Sequence, residues 1–182
     1  MRFPTHFVFS ICLLFLCGCE PSRQNVISKG SDGAQVEMVS GPDLTVTYDA
    51  ALWRPRAPIN DPKIGGFQSM TWALQDPEWA QIRVESRPER MTGAECKQRI
   101  LDNQNFRGDP AQLVREGRES LAGRDWLVLE FRNRHTRPTR SEIHYFLSTG
   151  DGHVNLFSIC EEGNLAKHRE VIKAFLHKVQ VK

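Results

Sequence analysis

The chain has 182 residues, of which 24 are lysine or arginine and 22 aspartate or glutamate, so it is close to electrical neutrality. A nucleic-acid-binding domain ordinarily carries a marked basic excess, and that class is set aside on this ground. The length and an apolar content of 40% suit one domain with a substantial core, and no internal repeat is present.

Arg2 precedes an apolar run from Phe7 to Cys17 that closes in Leu16-Cys17-Gly18-Cys19 and gives way at once to Glu20-Pro21-Ser22. A positive start, an apolar core and a small residue at the boundary are the layout of a secretory signal. The run, about a dozen residues, is short of the roughly 20 that a membrane-spanning helix needs, and no Ala-x-Ala-like site competes for cleavage. Leu-Cys-Gly-Cys resembles the lipobox of bacterial lipoproteins. That resemblance implies removal of residues 1–18, lipidation of Cys19, and an address on the bacterial envelope facing the periplasm. In such lipoproteins an aspartate after the cysteine favours the inner membrane; Glu20 stands here, so the outer membrane is favoured. Acyl chains contribute roughly 0.8 kcal/mol per buried methylene, which keeps the mature chain on its membrane. Loss of residues 1–18 removes Arg2 and no acid, leaving 23 basic against 22 acidic side chains.

Three of the five cysteines are then spoken for, and Cys96 and Cys160 remain. An exported pair is a disulfide candidate, worth roughly 4 kcal/mol in the chain-entropy account for a loop of about 65 residues. The competing reading is two small buried hydrophobes, and the sequence leaves both open.

Residues 19–34 are polar and read as a flexible tether, followed by a single domain over 35–182. Gln35 to Val39 and Leu44 to Tyr48 are β-like runs around the turn cluster Ser40-Gly41-Pro42-Asp43 and predict an opening hairpin. Ala51 to Pro62, with three prolines around Trp53, is expected to be irregular. Gly66 to Leu74 and Gln81 to Glu85 predict strands, and Arg83 and Glu85 alternating with Ile82 and Val84 mark one wet face on the second.

Thr92 to Asn103 predicts a helix with Thr92 and Glu95 at capping-box spacing and a thin apolar stripe through Cys96 and Ile100. Ala111 to Leu121 fits helix and strand patterns poorly; Gly117 and the turn-like Ala122-Gly123-Arg124-Asp125 favour a strand. Trp126 to Phe131, Ser141 to Ser148 and His153 to Cys160 are strands, the last two joined at Gly150-Asp151. A two-residue loop there sets His153 opposite Ser148 and His144 opposite Phe157. Ile143, Tyr145, Leu147, Val154, Leu156 and Cys160 then share one face, and Phe146, Phe157 and Ile159 the other. A sheet apolar on both faces needs cover on both sides. Asn164 to His177 predicts an amphipathic closing helix through Leu165, His168, Ile172 and Phe175, with Asn164 as N-cap and Val179 continuing the stripe.

The expected fold class is α+β, an antiparallel β-sheet flanked by helices. The opening strand running into Trp53, the Gly123 to Phe131 run Gly-Arg-Asp-Trp-Leu-Val-Leu-Glu-Phe, and the Tyr145-Phe146 strand before Gly150-Asp151-Gly152 resemble the α/β/α sandwich of the photosystem II PsbP family and the DcrB-like lipoproteins. The proline and glycine such families often place before the tryptophan are here replaced by Asp49-Ala50-Ala51-Leu52. The resemblance implies binding and not chemistry, by analogy of fold.

No Gly-x-Ser-x-Gly, His-Glu-x-x-His, P-loop or Cys-x-x-Cys motif is present, so neither catalytic residues nor a cofactor are expected. Glu142, His144 and His153 are predicted to share a strand face, but the spacing of the two imidazoles along the hairpin argues against one metal shell, and no metal is expected. Arg132, Arg134, His135, Arg137 and Arg140 crowd around Pro138 between two strands and are the candidate partner-binding residues, since guanidinium suits carboxylates and anionic headgroups; a solvated loop that keeps the sheet edge soluble is the bland alternative. Trp53 and Trp126 are expected in the core. The functional expectation is a non-enzymatic lipoprotein, anchored through Cys19, that binds or assembles an envelope protein or cell-wall partner. The alternative is an inhibitor or immunity protein against a periplasmic toxin or wall hydrolase.

Overall fold

The computed structural model describes residues 26–30, 33–38, 42–56, 59–61, 67–75, 80–106, 111–133 and 137–182. Two antiparallel sheets form. The smaller has the order β1-β2-β3-β12, from β1 (Val26–Gly30), β2 (Gly33–Met38), β3 (Leu44–Tyr48) and β12 (Val179–Val181). The larger runs β4-β6-β7-β11-β10-β9-β8, with β5 also paired to β6. Its strands are β4 (Trp53–Pro55), β5 (Ile59–Asp61), β6 (Phe67–Leu74), β7 (Ala80–Arg87), β8 (Gln112–Leu121), β9 (Arg124–Asn133), β10 (Arg140–Thr149) and β11 (Gly152–Glu161). Two helices, α1 (Gly93–Phe106) and α2 (Leu165–Leu176), complete an α+β fold with a helix on each face of the large sheet.

The register follows from turn chemistry. Thr149 pairs with Gly152 across the two-residue loop, which sets Ser148 opposite His153 and His144 opposite Phe157. Gly152 has φ +141°, and a Cβ there would collide with the Arg87 carbonyl oxygen, so only glycine lets β11 begin this close to the end of β7. At the other hairpin Ala122 and Gly123 both take positive φ (51° and 72°), the signature of a tight primed turn.

Strand alternation sorts the core into two unequal parts. On the α2 face, Trp72, Ile82, Val84, Trp126, Ile143, Tyr145 and Leu156 join Ile172, Phe175 and Leu176 of the helix and Leu44, Val46 and Val179 of the small sheet. Phe175 meets Trp53 and Trp72 edge-on, ring centroids 5.3 Å away in each case. On the α1 face the apolar cluster is smaller: Met91, Cys96 and Ile100 against Leu129, Phe131 and Phe146.

Several expectations change. Two short strands, β4 and β5, lie in the stretch read as irregular; Pro55 is tolerated because β4 ends the sheet and needs no ladder bond on its outer side. β1 lies inside the stretch read as tether, where Val26 and Ile27 pair with Glu37 and Val36 of β2. Asn164 makes no side-chain cap; a 3-10 turn, Glu162–Asn164, leads into α2 instead. Val179 leaves the helix and pairs with Val46. At α1 the capping box forms as predicted: the Thr92 amide donates to Glu95 Oε2 (2.7 Å) and the Glu95 amide to Thr92 Oγ1 (3.3 Å). The Asp49-Ala50-Ala51-Leu52 segment makes its own turn, with the Ala51 amide bonded to Asp49 Oδ1 (2.8 Å) and the Trp53 amide to the Asp49 carbonyl (2.8 Å).

The Cys96–Cys160 pairing is corrected. Both cysteines are free and buried. Cys160 shares the α2 face with Leu156 and Ser158, whereas Cys96 projects from α1 onto the opposite face, so the sheet separates the two thiols.

Candidate ligand pocket beneath the first helix

The thin apolar stripe of α1 covers only part of its sheet face, and the uncovered part carries charge. Arg83, Glu85 and Arg87 of β7 stand opposite Phe157, Asn155 and His153 of β11, and His144 of β10 stands opposite Phe157. With Glu142 and, from α1, Cys96 and Arg99, these groups line a pocket of about 270 Å³.

Its floor is fixed by ring contacts. His144 stacks on Phe157 (centroids 5.3 Å, planes 20° apart) and meets the edge of Phe131 at 5.8 Å. The Arg83 guanidinium lies 5.7 Å from the Phe157 ring centroid. Arg83 also donates to Ser69 Oγ (3.0 Å) and pairs with Glu85 (3.1 Å), which Arg87 approaches at 3.5 Å. At the mouth, Arg99 forks onto the Glu89 carboxylate (2.8 and 3.2 Å) and holds it below the usual carboxylate range.

The two histidines differ. His153 is 3% exposed, and its Nδ1 lies 2.6 Å from the Glu89 carbonyl, an oxygen that can only accept, so Nδ1 carries the proton. Burial holds its pKa below the ordinary imidazole value, partly offset by this bond. His144 is 6% exposed, yet among the described residues neither ring nitrogen has a hydrogen-bond partner; the Glu142 carboxylate is 3.6 Å from Nε2. Asn155 Oδ1 is likewise buried and unpaired. A buried polar group left unsatisfied costs about 1–3 kcal/mol, and two such groups open onto one pocket.

Among the described residues, neither thiol is poised to react. Burial pushes the Cys96 thiol up to about 12, far from the thiolate that nucleophilic chemistry requires. Cys160 on the other face is pushed up to about 12 in the same way. The Ser158–His168 contact (2.5 Å) looks like half of a hydrolytic dyad, but it has the wrong polarity. The single hydroxyl hydrogen of Ser158 goes to the Gln81 carbonyl (2.6 Å), so His168 Nε2 donates to Ser158 and cannot take its proton. Among the described residues no group of three or more histidine, cysteine or acidic side chains could hold a metal ion.

Of the basic loop, the described residues Arg132, Arg137 and Arg140 do not line this pocket. Arg132 is ion-paired with Glu162 (2.6 Å) and borders a separate depression with Glu130, Ser141, Leu165 and Arg169. Arg137 and Arg140 are exposed. Cys19, Arg134 and His135 lie outside the described residues. Arg83, Arg87, Arg99, Asn155 and Phe157 were not among the candidate residues read from the sequence. The alternation of Arg83 and Glu85 was legible, and the thin stripe on α1 was the signal that a wet face would sit beneath a helix.

No protein-family model and no curated protein matches this sequence. Two solved structures are similar in fold. A crystal structure from Bacteroides thetaiotaomicron VPI-5482 covers 89% of this chain with a TM-score of 0.45 and 13% identity, and the chain spans 49% of that protein's length. The solution structure of cyanobacterial PsbP (CyanoP) from Synechocystis sp. PCC 6803 covers 93% of this chain and 99% of its own, with a TM-score of 0.46 and 13% identity. At this identity both likenesses are of chain course alone.

Proposed function

We propose that the chain is a non-enzymatic binding protein of the bacterial envelope, anchored through lipidated Cys19, facing the periplasm with the outer membrane favoured, and taking a cell-wall or envelope ligand into the pocket beneath α1. One observation carries this reading: His144 and Asn155 bring unused hydrogen-bonding capacity to a partly open, charged pocket whose one thiol, Cys96, is held protonated by burial. Exposed Arg137 and Arg140 supply a second, outward contact for a protein partner.

The test is to mix the purified mature chain with soluble cell-wall fragments, follow its thermal midpoint, and weigh the fragments before and after. The expected result is a raised midpoint with fragment masses unchanged. Fragments cleaved by the chain, or a midpoint that does not move, would contradict the proposal.

A further inference from the structure

We infer that the pocket beneath α1 takes an uncharged polyhydroxyl molecule the size of one sugar ring; the inference rests on the binding reading above. Charge gives the first reason. The guanidinium groups of Arg83, Arg87 and Arg99 face as many carboxylates, Glu85 and Glu142 in the lining and Glu89 at the mouth. Arg83 and Arg87 meet Glu85 at 3.1 and 3.5 Å, Arg99 meets Glu89 at 2.8 Å, and Glu142 is engaged within the protein as well. The charges cancel inside the chain. A ligand of net charge would give up its hydration without meeting an unpaired counter-charge, so the pocket selects against anions and cations alike.

Hydrogen bonding gives the second. A neutral imidazole has one N–H donor and one nitrogen acceptor, and both nitrogens of His144 are buried without a hydrogen-bond partner, in a ring whose plane Phe157 and Phe131 hold. Asn155 Oδ1, likewise buried and unpaired, is a second acceptor. The matching ligand must therefore donate to two acceptors and accept from one donor. An ionised carboxylate only accepts and an ammonium only donates, whereas every hydroxyl does both. Asn155 lies two residues along β11 from Phe157, the partner of His144, which makes it a diagonal neighbour on the same face. Such neighbours are roughly 7–8 Å apart at Cα, a distance that hydroxyls on two sides of one ring bridge.

Shape and size give the third. Met91, Cys96 and Ile100 add apolar surface beside these polar groups, and a sugar ring has the same division, C–H groups on its faces and hydroxyls around its rim. At about 270 Å³ the pocket falls just below the range of roughly 300–1,000 Å³ for sites that enclose drug-sized ligands. One ring fits, and the partly open mouth leaves the rest of a glycan outside. Two sources supply this chemistry, an N-acetylated sugar of the wall glycan and a free sugar.

The experiment is a chemical-shift titration of the mature chain's backbone amides with N-acetylglucosamine, glucose, glucuronate and inorganic phosphate. It is repeated on His144→Phe, which keeps the ring stack and removes both nitrogens, and on Asn155→Leu, which removes the second acceptor. N-acetylglucosamine or glucose is expected to bind at one site that includes His144 and Asn155. Glucuronate, a sugar ring carrying one carboxylate, and phosphate are expected to bind roughly tenfold or more weakly. Each substitution is expected to weaken the better sugar roughly tenfold with the thermal midpoint retained; should His144→Phe fail to fold, Asn155→Leu decides. Preference for N-acetylglucosamine assigns the wall source, and preference for glucose the free sugar. Glucuronate or phosphate binding as tightly as the neutral sugars, unchanged affinity in either folded variant, or no binding by any of the four would overturn the inference. If wall fragments still raise the midpoint in that last case, the binding reading survives and only the ligand class falls.

Discussion

The two faces of the large sheet are built from the same strands to different ends. On the α2 face the side chains of seven strands, a helix and the small sheet close on one another, and of the polar groups buried there Glu130, Ser158, His168 and Trp126 Nε1 are paired while Trp72 Nε1 is not. Glu130, 2% exposed, receives Arg169 at 2.6 and 3.0 Å and Arg115 at 2.9 Å; Ser158 and His168 satisfy each other. On the α1 face a smaller cluster leaves room for a pocket in which His144 and Asn155 go unpaired. The larger apolar core lies on the first face, and the unpaired polar groups that open onto a pocket, the raw material of recognition, on the second.

The largest expected effect separates the cores directly. Phe175→Ala removes a ring packed against Trp53 and Trp72 and should cost roughly 3–5 kcal/mol in urea denaturation. Phe146→Ala, beside the pocket and tilted against His153, should cost less, about 2–3 kcal/mol, because existing space adjoins the cavity. Equal costs would dissolve the distinction between the faces.

Charge breaks the comparison at different pH. Burial alone would raise the pKa of Glu130, but bonds from Arg169 and Arg115 outweigh it and hold the carboxyl below its ordinary value of 4.5. With a depressed folded pKa, its contribution is present above about pH 4.5 and lost as pH falls through the folded value. Glu130→Ala should cost about 2 kcal/mol, discounted because both arginines are partly exposed and can rehydrate. His153 responds earlier. Its folded pKa is also depressed, so the unfolded chain takes up a proton first, and stability should begin to fall as pH drops below the ordinary imidazole value of 6.5. Stability measured from pH 8 to 3 should therefore decline first through the α1 face and then through the α2 face. His153→Asn, which preserves a donor near the Glu89 carbonyl, should remove the earlier decline only.

The smallest effect has the most telling sign. His144→Phe replaces a buried ring with two unsatisfied nitrogens by one with none, and its thermal midpoint should stay level or rise slightly. A fall comparable with that of Phe146→Ala would mean that His144 serves packing.

The α2 face was largely legible in the sequence because its signals are local and periodic. Ile172 and Phe175 fall on one helical stripe, and Ile143, Tyr145, Val154 and Leu156 alternate around a turn whose length fixes the register. The pocket was not, because it is made by what α1 fails to cover. Arg83 shows in sequence only as the wet side of a strand; that it lies on the same sheet face as His144 depends on β7 pairing with β11, a contact more than seventy residues apart. Cys96 and Cys160 show the same limit: the sequence leaves a disulfide and two buried thiols both open, and only the sheet between them decides for the thiols.

The most direct measurement of the central claim is the nitrogen NMR of the histidine rings during titration with soluble cell-wall fragments. His168, buried on the α2 face and bonded to Ser158, serves as the internal control. The expected result is a saturable shift of the His144 ring nitrogens with those of His168 unmoved. Ring signals of His144 that stay fixed throughout, or that move only in step with His168, would contradict the division of the sheet into a stabilising face and a binding face.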